Sequence, residues 1–204
     1  MAGDPRRRRR GLLTATSMAP VRRAGHGLTP AGELAWWSVA EGQRGRRWRE
    51  SVAGPGGLRH ALLLETDPAG RFLHLELATP AGLLTLHPEP DGTLHGNALA
   101  AGGLRHVEGL AWDPAGVVDV AGSPVSAAAA AHRLRNAVDA GASVTWTTLW
   151  ITGELTVGVG PQRIERGEAD TWRIAGGDGV RVDADALPVL RDGRSWPLDR
   201  DPAG

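Results

Sequence analysis

Residues 58–97 read LRHALLLETDPAGRFLHLELATPAGLLTLHPEPDGTLHGN, three apolar segments of strand length separated by nearly the same turn. Asp67-Pro68-Ala69-Gly70 and Thr79-Pro80-Ala81-Gly82 each put Pro where a type I or II turn wants its fixed φ, then Gly where positive φ is tolerated. The signature returns at Asp113-Pro114-Ala115-Gly116, and Pro90-Asp91-Gly92 is a close variant. Turns about every ten residues, with Leu, Val and Thr between them, describe an antiparallel meander rather than helices. A first turn that pairs Thr66 with Arg71 puts Leu62 beside Leu75 and Leu64 beside Leu73 on one face. The second turn adds Leu77, Leu84 and Leu86 to that face, leaving Glu65, His74, Glu76, Thr85 and His87 on the other. A one-residue slip would exchange the two sets. The expectation is a sheet apolar on its hollow side and polar on its back.

Composition narrows the function classes. The chain has 204 residues, enough for one sizeable core, and 23 basic and 23 acidic side chains that balance to a net charge of +0. Every basic residue is Arg, and the neutral total argues against a general nucleic-acid or membrane-surface binder. Cysteine is absent, which excludes disulfides, thiolate metal sites and a Cys nucleophile and fits the reducing cytoplasm expected as its location. No apolar run approaches membrane-spanning length, so no transmembrane segment is expected. With eight Trp, one Phe and no Tyr, the tryptophans must supply most of the large flat apolar surface.

Residues 1–28 open with Arg6 to Arg10 and lack periodicity, and are read as a disordered Arg-rich tail. Arg9-Arg10-Gly11-Leu12-Leu13 loosely resembles a twin-arginine export signal, and Met18 is an alternative start. One domain spans 33–198, and 199–204 is a second disordered tail, with fraying from Asp192. Near the start, Trp36, Trp37 and Trp48 lie in short strand-like runs, and alternation sets Trp48 opposite Arg47 and Arg49, an edge-strand pattern. Ser123-Pro124-Val125-Ser126 leads into AAAAAHRLRNAVDAG, a single helix over about 124–139 with Ser123 as cap, Pro124 in the first turn and Gly141 closing it. After it, Val144, Trp146, Thr148 and Trp150 share one side of a long strand. Ten to thirteen strands and one helix predict a mainly β fold, a large antiparallel meander curled into an open or incomplete barrel.

Three constellations bear on chemistry. His74, His87 and His95, with Glu76, carry ligand types suited to zinc or iron, against the plainer reading of a polar sheet face; no metal or other cofactor is assigned. Ser123, His132 and Asp119 contain the residue types of a hydrolase triad, but Gly122-Ser123-Pro124 lacks the glycine pattern of a nucleophile elbow. The tryptophans give the third. Trp48, Trp112, Trp146 and Trp150 with Leu62, Leu64, Leu73, Leu75 and Leu77 would line a cavity for an amphiphile, its head group near Arg133, Arg47 or Arg49.

The segment Val117-Val118-Asp119-Val120-Ala121-Gly122-Ser123-Pro124, followed by His132-Arg133-Leu134, resembles a bacterial family of unknown function named for glycolipid binding. Asp119, Pro124, Arg133 and Leu134 match its motif. A Trp-containing opening near Trp48, the Asp91-Gly92 turn, the strand from Trp146 to Val157, then Gln162, Trp172 and Val182-Asp183 with Leu187-Pro188 follow in the same order. Val117-Val118-Asp119 stands where many relatives have Cys-Ile-Asp, and Ser126 with alanines where they have Phe-Thr-Asn-Thr. The resemblance implies an open barrel around a helix, similar to lipoprotein-carrier half-barrels, with a hydrophobic cavity. The expected function is therefore non-catalytic binding of a lipid-like or glycolipid-like molecule. The alternatives are a metal- or Ser-dependent enzyme, and a structural or protein-binding sheet without ligand.

Overall fold

The computed structural model describes residues 22–198. Eight strands form a meander: β1 (Arg22–Leu28), β2 (Leu34–Gly42), β3 (Gly45–Gly54), β4 (Gly57–Thr66), β5 (Phe72–Thr79), β6 (Gly82–Pro88), β7 (Thr93–Ala100) and β8 (Gly103–Ala111). Then come β9 (Val117–Val120), helix α1 (Pro124–Leu134), β10 (Ser143–Ile151), β11 (Val157–Arg166), β12 (Thr171–Ile174), β13 (Val180–Arg181) and β14 (Arg191–Pro197). The strands make a nine-stranded antiparallel sheet, β14-β1-β2-β3-β4-β5-β6-β7-β8, and a five-stranded one, β13-β12-β11-β10-β9. The mainly β, curled half-barrel architecture with one helix is thus the observed fold. The single parallel pair among the described residues is β9–β10, the two strands that α1 connects, as a crossover requires.

The Asp67 turn reverses the chain, but in a different register from the one expected. Asp67 carboxylate accepts from the amides of Ala69 and Arg71, both at 2.8 Å, and an irregularity follows in which Thr66 faces Phe72 while Glu65 faces His74. Leu64 therefore pairs with Leu75 and Leu62 with Leu77. The slip is by an even number, so the apolar set stays inside: Leu62, Leu64, Leu75, Leu77, Leu84 and Leu86 are all buried. Leu73 is the exception. The bulge turns Phe72 inward and leaves Leu73 exposed.

The N-terminal boundary also moves. Residues 22–28 of the expected tail are β1, paired with β2 on one side and β14 on the other, and the residues from Asp192 that were expected to fray lie in β14. Their order comes from what they accommodate rather than from their own apolar content. Gly25 lies against the Trp37 ring so closely that a Cβ would come within 2.5 Å, and Gly27 likewise faces Leu190 at 2.6 Å. The remaining residues of the two expected tails, 1–21 and 199–204, lie outside the described residues.

Helix α1 stops at Leu134, short of the expected end near 139. Arg166 reaches back from β11 and donates to the carbonyls of Arg135 and Val138, each at 2.9 Å, which satisfies backbone acceptors just past the helix end. Nine of its eleven residues are buried, an unusual share for a helix and the reason its run from Ala127 to Ala131 is informative: methyl side chains let both sheets approach the backbone. The inner faces of both sheets and α1 make one core.

Candidate functional site

The half-barrel is filled by its own helix. Trp48, Leu62, Leu64, Leu75, Leu77 and Trp112, expected around a ligand, are 0–5% exposed and pack in one cluster with the α1 alanines and Leu134. Between Leu64, Phe72, Val117 and the helix residues Ala129, Ala130 and Arg133 the remaining space is only about 10 Å³. That is room for about one water. Trp146 and Trp150 share a side of β10 as expected, but it is Leu149 and Ile151 on the opposite side that are fully buried in the core. Trp146 Nε1 donates to the Ala115 carbonyl at 2.8 Å, and Trp150 covers Gly158. Leu73 is exposed, so the expected lining breaks into three places.

The arginines part company too. Arg133 lies against Gly70 at the closed end of the interior, Arg47 pairs with Glu65, and Arg49 points to the outer face of the nine-stranded sheet. That outer face is not uniformly polar. Trp36, Ser51, Ala61, Ala78, Leu83, Leu99 and Leu104 follow one another across seven strands in register, making an apolar row with an open groove of about 540 Å³ over its first five strands. The groove is shallow; Arg49 and Glu76 along it are exposed, while the Glu50 side chain turns to the inner face.

The polar groups that do enter the interior gather where β9 turns into α1. Glu50 sits on the inner face of β3, next to Leu62 across the strand pair, and is 3% exposed. Ser123 Oγ donates to Glu50 Oε2, and His60 Nε2 lies 3.2 Å from the same oxygen. Ser123 Oγ also accepts from the Ser126 amide at 3.0 Å, the helix cap expected from the sequence. Glu50 Oε1 is buried without a hydrogen-bond partner among the described residues. Glu50 and His60 were missed in the sequence, although alternation carries the signal: Glu50 has the parity of Trp48, and His60 that of Leu62 and Leu64.

Beside this corner lies a cleft of about 320 Å³. Its walls are the turn between β1 and β2, the end of β9 with the first turn of α1, and the loop between β12 and β13. Val120, Pro124, Ala127, Ile174 and Val180 make it largely apolar, and Ser123 and Asp119 are among its polar lining residues. Asp119 is partly buried, with no hydrogen-bond or ion-pair partner among the described residues, and loss of solvent pushes its carboxyl up to about 6. A second hollow of about 270 Å³ lies across the corner and contains His60 and Arg59.

The metal and triad constellations are not assembled. His74 bonds Glu76 at 3.1 Å and His87 bonds Glu89 at 2.9 Å, while the His87 and His95 rings are 5.5 Å apart. Among the described residues no three potential ligands converge on a metal position. His132 lies nine residues along α1 from Ser123, about 13 Å at the helical rise, beside Trp48. Asp119 and Pro124 of the family motif do meet, in the cleft, whereas Leu134 and Arg133 lie at the far end of the helix.

Fold and cleft together define a helix-plugged β half-barrel with an acidic, apolar-walled mouth. Comparison with known proteins gave no matching family model, no matching curated protein and no matching solved structure. The family resemblance therefore rests on the residues quoted for it. Among the described residues, no helix is long and apolar enough to cross a membrane.

Proposed function

We propose that the protein is a non-catalytic binder of a small amphiphile, held in the mouth cleft beside α1 and not among the interior leucines. The observation that supports this is the contrast between the two places: about 320 Å³ of apolar-walled space at the mouth against about 10 Å³ between Leu64, Phe72 and α1. A volume at the lower end of the range for small-molecule sites, with a few polar residues set among apolar walls, suits a molecule with a polar head and a short apolar body. Ser123 and Asp119 are two of those polar residues. Ser123 is committed to Glu50 and Ser126, so it fixes the wall rather than offering a nucleophile.

Native mass spectrometry of the purified chain, followed by solvent extraction and identification of what is released, tests the reading. A bound small molecule is expected, and Ala127→Phe, which fills the cleft from the helix side, should abolish it while the chain stays folded. A protein that carries nothing and binds no amphiphilic probe in titration overturns the proposal.

A further inference from the structure

We infer that the ligand of the mouth cleft carries a basic nitrogen, an ammonium-type cation on a short apolar body. This rests on the cleft being the binding site and names what it takes. Acidic residues line the cleft from three separate elements: Glu33 from the turn between β1 and β2, Asp119 from β9 and Asp178 from the loop between β12 and β13. No Arg or His lines it. Glu33 is already met by Arg59, whose Nε lies 3.1 Å from its Oε1. Asp119 and Asp178 have no such partner among the described residues.

The positive end of α1 would ordinarily draw an anion to this corner. Here the carboxylate of Glu50 occupies that position from the interior side, hydrogen-bonded to the capping Ser123, so the dipole is already answered. An anionic head entering the cleft would face Asp119, partly buried beside apolar walls where like charges repel more strongly than in water, and the exposed Asp178 at the rim. A cation reverses that sign. It would restore to Asp119 the stabilisation that burial removes, while the surfaces of Val120, Pro124, Ala127, Ile174 and Val180 take the apolar body. The arginine-bound anionic head group expected from the sequence has no counterpart at this site.

Calorimetric titration of the full chain at neutral pH with octylammonium, octanol and octanoate separates the possibilities, because the three share a body and differ in head-group charge. Octylammonium should bind about tenfold more tightly than octanol, the scale of one charge-assisted hydrogen bond, and octanoate more weakly than either. Asp119→Asn should bring octylammonium close to octanol, collapsing the tenfold ratio between the two. Equal binding of all three, lost in Ala127→Phe, overturns the cation and leaves the cleft as the site; tighter octanoate binding does the same. Failure of all three to bind overturns both readings.

Discussion

The Ser123 hydroxyl donates to the Glu50 carboxylate, and this one bond joins the start of the buried helix to the inner face of the nine-stranded sheet. Glu50 is surrounded by Trp48, Leu62 and Val52 on that face, where a carboxylate is costly unless hydrogen-bonded. Its Oε2 accepts Ser123 and contacts His60, while Oε1 has no partner.

Ser123→Ala should therefore cost more than an exposed cap. Loss of a cap alone is worth about 1 kcal/mol, and stranding a buried carboxylate adds roughly 1–3 kcal/mol. Urea denaturation should show a loss of about 2–4 kcal/mol. A double-mutant cycle with Glu50→Gln should return a coupling of roughly 0.5–3 kcal/mol. Additive effects would mean that the two side chains are neighbours without being partners.

Strand β1 gives a second measurement. A Cβ on Gly25 would lie 2.5 Å from the Trp37 ring and 2.8 Å from the Arg194 carbonyl, so even the smallest side chain has to displace the core or the β14 pairing. Gly25→Ala should cost roughly 1–3 kcal/mol, as overpacking does, and raise amide exchange in residues 22–28 before the rest of the sheet. Unchanged exchange there would show that β1 does not depend on this contact.

These residues also explain what the sequence discloses and what it hides. The turns and leucine alternation suffice for the meander because period two and Pro-Gly chemistry are local, and an even-numbered register error leaves the buried set almost intact. Leu73 is lost to a bulge, which local pattern does not announce. β1 is hidden because its inward positions are glycines that fit against large neighbours, and the fit is visible only once Trp37 and Leu190 are in place. The filled interior was hidden for a related reason: a run of alanines looks compositionally bland, although here its small size is what lets the helix occupy the barrel. Of the site, Asp119, Pro124 and Ser123 were legible as a motif. Glu33 and Asp178 come from distant segments that only the tertiary fold brings together.

Acid titration should expose two opposed groups. Burial raises the Asp119 carboxyl from 3.8 to about 6 in the folded protein. Its contribution to stability is therefore present below about 4 and is lost as pH rises through 6, a change on the order of 3 kcal/mol. Burial, and then the Arg46 charge, lower His132 from 6.5 to about 4, and its Nδ1 has no partner among the described residues. Its contribution is present above 6.5 and is lost as pH falls through 4; partial exposure reduces it to on the order of 1–2 kcal/mol. Between pH 4 and 6.5 the two slopes oppose each other and this pair leaves the native protein with a weak dependence. Asp119→Asn should lose stability on acidification across that window, and His132→Gln should gain it. Parallel slopes in the two variants would remove the assignment.

The contrast between plugged interior and open mouth can be tested within a single helix. Ala129 faces the remaining 10 Å³ beside Leu64 and Phe72, whereas Ala127, two residues earlier, lines the 320 Å³ cleft. Enlarging the first has nowhere to go: Ala129→Leu should cost roughly 1–3 kcal/mol through off-rotamer side chains and displaced strands. Enlarging the second replaces solvent in the cleft, so Ala127→Phe should change stability by less than about 1 kcal/mol while blocking the amphiphile. Thermal unfolding of the two variants beside the native chain gives the comparison. If Ala129→Leu is as stable as the native protein, the interior has room that the packing of α1 denies, and the ligand belongs there instead.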